Sequence, residues 1–206
     1  MIHLHVHPDN PQQRLIRQAA DQLKAGKVIA HLTDTAYAQG CHLGDKSALE
    51  RIARIRKLPE NHQYTLLCRD LSDIATYAKV SNPHYRLLKA HTPSACTFIL
   101  PATSELPRRL MHPKKKTIGI RVPTNPVTQA LLEALEEPLI TSTLILPGED
   151  LPLDDPQDIE TRIGHQIDLL LDSGFGTRSV STIVDMSGDN PVLVRQGVCQ
   201  VDTLIG

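Results

Sequence analysis

Apolar and polar residues alternate at the start of the chain. In HLHVH, residues 3–7, the period of two predicts a half-buried strand, with Leu4 and Val6 facing inward and His3, His5 and His7 outward. The period then lengthens. In NPQQRLIRQAADQLKAG, Leu15, Ala19 and Leu23 fall on one helical face, Asn10 is placed to cap, Pro11 to take the first helical position and Gly26 to end the helix. Residues 27–32 read as a buried strand that stops in Thr33-Asp34-Thr35. SALERIARIRK predicts a helix opened by a capping box, Ser47 with Glu50. Strands are predicted at 64–68, 96–100, 117–122, 139–145 and 167–171. Between them, helices are predicted at 70–77, from Asn82-Pro83, from Asn125-Pro126 and from Asp155-Pro156 to about residue 163. STIVDM and PVLVR flank SGDN as a hairpin.

Strands and helices alternate before that closing hairpin, which forces antiparallel pairing. The fold class is therefore α/β, a single twisted mixed-sheet domain over residues 1–206. Its apolar share of 40% is enough for a core. No apolar run approaches the ~20 residues of a spanning helix, and MIHLHVHPDN has no signal-peptide pattern, so no membrane role and a cytoplasmic location are expected. The four cysteines, Cys41, Cys68, Cys96 and Cys199, are widely spaced without a CxxC pair, and are expected to be reduced and mostly buried.

The net charge of −1 gives no global basic field, but charge is grouped. Arg51, Arg54, Arg56 and Lys57 cluster, as do Lys114, Lys115 and Lys116, while acid collects over 148–158. Two Phe, four Tyr and no Trp argue against base stacking as a recognition mode. Neither GxGxxG nor GxxxxGK[ST] is present.

Hydroxyl groups recur where apolar runs end or pause: Thr33 and Thr35, then Thr141, Ser142 and Thr143, then Ser179, Ser181 and Thr182. One reading is local capping of backbone groups; the other is that the clusters line one polar pocket. Arg121 and Arg195 each close an apolar run, TIGIR and PVLVR, which suits a partner anion. The three N-terminal histidines have no acidic residue at ligand spacing and read as a solvated face.

These segments, in this order, resemble the YrdC/YciO family, and its YciO branch most closely. HLTDTAYAQGC resembles the family's P-T-[DE]-T-x-Y-G-L segment, RKLP its K-x-R-P, TPSACTFIL its P-G-P-x-T and IGIRVPTNP its V-R-x-P. PLITSTLILPG stands where the family has S-A-N-x-S-G, and STIVD and VLVRQG match its closing segments. The resemblance implies a YrdC-like fold with a positively charged groove. It also implies synthesis of L-threonylcarbamoyladenylate from L-threonine, bicarbonate and ATP with Mg²⁺, for modification of tRNA. By the same resemblance Thr33, Thr35, Tyr37, Thr97, Arg121 and Ser181 would hold L-threonine. Arg56, Lys57, Ser142, Thr143 and Arg195 would hold the nucleotide. Two departures from the family pattern matter most: Leu58 replaces the second cation, and Ile145 replaces the amide of S-A-N, with smaller changes at Leu32, Ala38, Ser94 and Ala95. Each lost charge-assisted contact is worth about 1.5–3 kcal/mol. The alternatives are therefore a protein that binds tRNA or double-stranded RNA through a basic groove, and a hydrolase of the adenylate.

Overall fold

In the computed structural model, which describes residues 1–202, the Thr33 cluster closes a turn rather than a loop. Thr33 N and Thr33 Oγ1 both donate to Ala36 O, at 3.1 and 2.8 Å. The turn joins β2 (Ile29–Leu32) to an antiparallel strand, β3 (Tyr37–His42), which the hydropathy pattern does not reveal. Gln39 and Gly40 interrupt its apolar character, yet nearly all of β3 is buried. Gly40 suits this close packing: a Cβ would meet the Leu139 side chain at 3.0 Å and His31 Nε2 at 3.3 Å, so these side chains would have to shift.

The remaining strands are β1 (Ile2–His5), β4 (Thr65–Leu67), β5 (Cys96–Pro101), β6 (Thr117–Arg121), β7 (Leu139–Thr143), β8 (Leu169–Asp172), β9 (Thr182–Asp185) and β10 (Val192–Arg195). They form one ten-stranded mixed sheet in the order β1-β8-β2-β3-β7-β4-β6-β5-β9-β10. β8 lies parallel between β1 and β2, and β9 and β10 form the expected antiparallel hairpin. The chain is a single mixed α/β domain, as its alternating pattern predicts.

Period-two alternation divides the core. Ile29, Leu67, Leu139, Leu169 and Leu171 face α1 (Gln13–Lys24) and α5 (Pro126–Leu135). Their neighbours Ala30, Leu66, Ile140 and Leu170 face the other way, onto α2 (Lys46–Arg56), α3 (Leu71–Tyr77), α4 (Asn82–His91) and α6 (Pro156–Ile163). Helices α1 and α5 cover only part of their face. The strands beyond them present hydroxyls and Arg121 instead of apolar residues, and there the cleft forms.

Several helix starts differ from expectation. α1 begins at Gln13, because His7 Nδ1 accepts from the Asp9 and Asn10 amides and holds Asn10 and Pro11 in a preceding turn. The capping box gives way to Asp45, whose carboxylate accepts from Ala48 N at 2.8 Å and starts α2 before Ser47. Ser81 rather than Asn82 caps α4, whereas Asn125 and Asp155 cap α5 and α6 as expected. The expectation of four reduced cysteines is corrected: Cys96 and Cys199 are disulfide-bonded, and Cys41 and Cys68 are free and buried. No CxxC spacing signals that pair, because 103 residues separate its members. No described helix is long and apolar enough to cross a membrane.

Candidate functional site

Register brings hydroxyls from neighbouring strands side by side. Thr65 on β4 pairs with Thr141 on β7 and Gly119 on β6, while Thr143 pairs with Ala38 on β3. Thr97 on β5 faces the same layer and pairs with Ile183 on β9. A Cβ at Gly119 would meet Tyr64 O at 3.0 Å, so glycine keeps this floor low between the threonines. Thr33, Thr65, Thr97, Thr141, Thr143 and Ser181 line one continuous cleft with Arg121 at its inner end and Arg56 and Arg195 at its outer end.

Arg121 ends β6 and is 6% exposed. Its Nη2 donates to Asp34 Oδ2 at 2.6 Å. Asp34 Oδ1 in turn accepts from Thr124 N, Thr124 Oγ1 and Asn125 N at 2.8, 2.6 and 2.6 Å. The carboxylate is thus saturated, but Arg121 Nε is buried with no hydrogen-bond partner. Burial lowers the Arg121 pKa and the Asp34 charge opposes that shift, so the guanidinium stays protonated. An unpaired buried donor costs about 1–3 kcal/mol, and more when charged. An acceptor entering the cleft would remove that cost.

At the outer end, Arg195 Nε and Nη2 donate to Ser181 O at 3.1 and 2.8 Å. Ser181 Oγ lies 3.1 Å from Thr97 Oγ1. Burial, and then repulsion from Arg121, lower the Arg195 pKa. Arg56 Nε donates to Ile145 O at 3.0 Å, and its Nη1 bonds Ser142 Oγ. His62 Nε2 lies 3.4 Å from the same Oγ. Burial, reinforced by Arg56, pushes the His62 pKa down to about 4, so its ring is neutral at pH 7. Three guanidinium groups face a space whose lining, among the described residues, includes no carboxylate. The cleft is built for anions.

The structure therefore brings Thr33, Thr97, Arg121 and Ser181 together with Arg56, Ser142, Thr143 and Arg195. Three other sequence-predicted site residues stand outside the lining. The Tyr37 hydroxyl donates to Gly174 O at 2.7 Å and its ring is fully buried, so it buttresses the turn. Thr35 is buried, its Oγ1 3.2 Å from Thr33 Oγ1 and its carbonyl accepting from Thr177 N and Oγ1. Lys57 takes a left-handed conformation at the end of α2. Of the departures, Leu58 packs on the core and Ile145 contributes its carbonyl to Arg56.

Asp34, His62 and Thr65 are the residues that sequence reasoning missed. Asp34 had a signal, its place between two threonines at a strand end. His62 had none, because its loop carries no recognisable pattern. Two larger hollows, of about 600 and 580 Å³, flank Lys79. Neither is lined by a buried unpaired polar group, which distinguishes them from the cleft.

A family model for Sua5, YciO and YrdC, described as "Telomere recombination", matches residues 21–197. The chain belongs to the Sua5/YciO/YrdC family. It is 51% identical to YciO of Escherichia coli K12 over 197 residues, 96% of each chain. The E. coli YciO crystal structure superposes with a TM-score of 0.96 at 49% identity, covering 99% of this chain and 100% of the other. A threonylcarbamoyl-AMP synthase from Pyrococcus abyssi is 27% identical over 184 residues, 88% of this chain and 54% of the synthase. P. abyssi Sua5 complexed with L-threonine superposes with a TM-score of 0.87 at 24% identity, covering 96% of this chain and 58% of that one. That last likeness concerns the fold. Family and fold both agree with the expectation drawn from the segment order.

Proposed function

We propose that the cleft binds the carboxylate of L-threonine at Arg121 and the phosphates of ATP near Arg195, Thr143 and Ser142, and that the chain carries out threonylcarbamoyl-adenylate chemistry. The observation that carries this reading is the buried Arg121 Nε without a partner, at the end of a hydroxyl-lined cleft. Asp34 holds one edge of the guanidinium and leaves Nε for an incoming carboxylate. Thr33 and Ser181 lie within reach of a small polar amino acid so anchored. Support also comes from the family and from the P. abyssi relative named as a threonylcarbamoyl-AMP synthase.

In this reading the protein acts by holding reactants together and stabilising charge, without a nucleophilic side chain. Arg195 and Arg56 offset the negative charge of the phosphates. The walls supply hydroxyl, imidazole and guanidinium groups, so Mg²⁺ would arrive with the nucleotide, held by phosphate oxygens and water. The RNA-binding alternative has less support. Arg51 is tied to Asp168 and the Gln166 carbonyl, and Lys115 pairs with Asp185, so part of the basic rim serves the protein itself.

Purified chain with ATP, L-threonine, bicarbonate and Mg²⁺ is expected to release pyrophosphate in a threonine-dependent manner. Arg121→Gln is expected to raise the half-saturating L-threonine concentration by roughly 10- to 150-fold, the equivalent of one charged hydrogen bond. Release that ignores L-threonine would contradict the proposal.

A further inference from the structure

His3 and His5 stand on one face of the edge strand β1, and its parallel neighbour β8 sets Asp172 opposite His5. Asp172 Oδ2 lies 2.9 Å from His3 Nε2 and 3.0 Å from His5 Nδ1. The two imidazoles stack with centroids 4.2 Å apart. One ligand atom from each of the three residues falls within 4.8 Å of the others. The far sides of two of these groups are already occupied. His3 Nδ1 lies 3.0 Å from Glu160 Oε2 on α6, and Asp172 Oδ1 accepts from Gly174 N at 2.9 Å. What remains pointing inward is His3 Nε2, His5 Nδ1 and Asp172 Oδ2.

The sequence gives no hint of this cluster, since 169 residues separate His3 from Asp172. His5 and His7 are exposed, as the solvated-face reading expects, but His3 is half-buried, and fold topology supplies the acidic partner that local spacing lacks. The chemistry of the set is specific. Two imidazoles with one carboxylate suit a borderline divalent transition ion, and suit poorly Mg²⁺ or Ca²⁺, which prefer oxygen ligands. Metal–ligand bonds of about 2.0–2.2 Å put neighbouring ligand atoms roughly 3.3 Å apart in a tetrahedron. The His–Asp separations of 2.9 and 3.0 Å would widen by roughly 0.3 Å on binding, and all three ligand atoms already lie within 4.8 Å of one another. The His5 side chain is 75% exposed, which leaves a route of entry and room for a water as fourth ligand.

We propose that His3 Nε2, His5 Nδ1 and Asp172 Oδ2 form a binding site for a divalent transition-metal ion of the Zn²⁺ class, with Glu160 holding the His3 ring from behind. A carboxylate behind a ligating histidine fixes its tautomer and raises its basicity. The ion would clamp the N-terminal edge strand to β8 and, through Glu160, to α6. The site is separate from the cleft and does not depend on its proposed function.

The test is calorimetric titration of the whole metal-stripped chain with ZnCl₂ in a non-chelating buffer, paired with thermal unfolding. Saturable binding of one ion with a rise in the unfolding midpoint is expected. His5→Asn, at an exposed side chain, should keep the fold and weaken binding by at least about tenfold, and Glu160→Gln should weaken it by roughly 10- to 100-fold. No saturable binding by the wild-type chain would overturn the proposal. So would a folded His5→Asn variant that binds Zn²⁺ as tightly as the wild type.

Discussion

Arg121 faces two demands at once. Its charge is buried, which costs free energy, and Asp34 offsets part of that cost at one edge only. The pairing orients the guanidinium and leaves Nε without a partner. Two histidines show the reverse solution, in which burial keeps the ring neutral. Burial pushes His31 down to about 4, with the Arg121 charge adding to the shift, and burial and then Arg56 push His62 to about 4. Unfolded, both rings titrate near 6.5. Between these values the unfolded chain binds more protons than the folded one, so stability is present above pH 6.5 and falls as pH drops towards 4. Each ring contributes up to roughly 3 kcal/mol to that loss. Urea unfolding across pH 4–7 is expected to show the decline, and His62→Gln to make it shallower; an unchanged slope in that variant would contradict the account. At this scale the sequence was partly legible. An arginine closing an apolar run marks itself, whereas a histidine such as His62 acquires its character only from burial and a distant cation.

Helix α5 couples packing to the site. Its cap, Asn125, accepts from Val127 N and Thr128 N at 3.0 Å each, and its backbone amide donates to Asp34. Asn125→Ala is expected to cost about 1 kcal/mol in urea unfolding, as is Asp155→Ala at the cap of α6. Only Asn125→Ala should also weaken L-threonine binding, because the Asn125 side-chain amide also donates to Thr33 O at 3.4 Å, whereas the Asp155 carboxylate accepts from Gln157 N on its own helix; equal binding by both variants would separate the cap from the site. Asn125-Pro126 and Asp155-Pro156 were readable because cap and proline act locally. β3 was not readable, since Gln39 and Gly40 look like turn residues and are buried only by the strands on either side. The capping box at Ser47 failed for a related reason: Asp45 lies closer to the entering chain and satisfies the free amide first.

Over the whole molecule, the cleft exists because α1 and α5 leave part of one sheet face bare, and hydroxyls from β4, β5 and β7, with Thr33 after β2 and Ser181 before β9, fill the space. The family's segment order made that convergence legible, while the strand order that accomplishes it was not. The Cys96–Cys199 disulfide ties β5, next to Thr97, to the C-terminal segment across 103 residues. Closing a loop of that size restricts the unfolded chain, so Cys199→Ser is expected to lower stability by about 2–5 kcal/mol. Dithiothreitol should lower the wild-type unfolding midpoint to that of the variant; a midpoint indifferent to both would contradict the structural role of the bond. In the proposed function, residues distant in sequence form one receptor for a carboxylate at Arg121. The most direct measurement is the nuclear magnetic resonance signal of the Arg121 Nε–H group during titration. With L-threonine the proton resonance should move downfield saturably and exchange more slowly with solvent, and with threoninol, which lacks the carboxylate, it should stay in place. A resonance unmoved at saturating L-threonine, or moved equally by threoninol, would contradict the account.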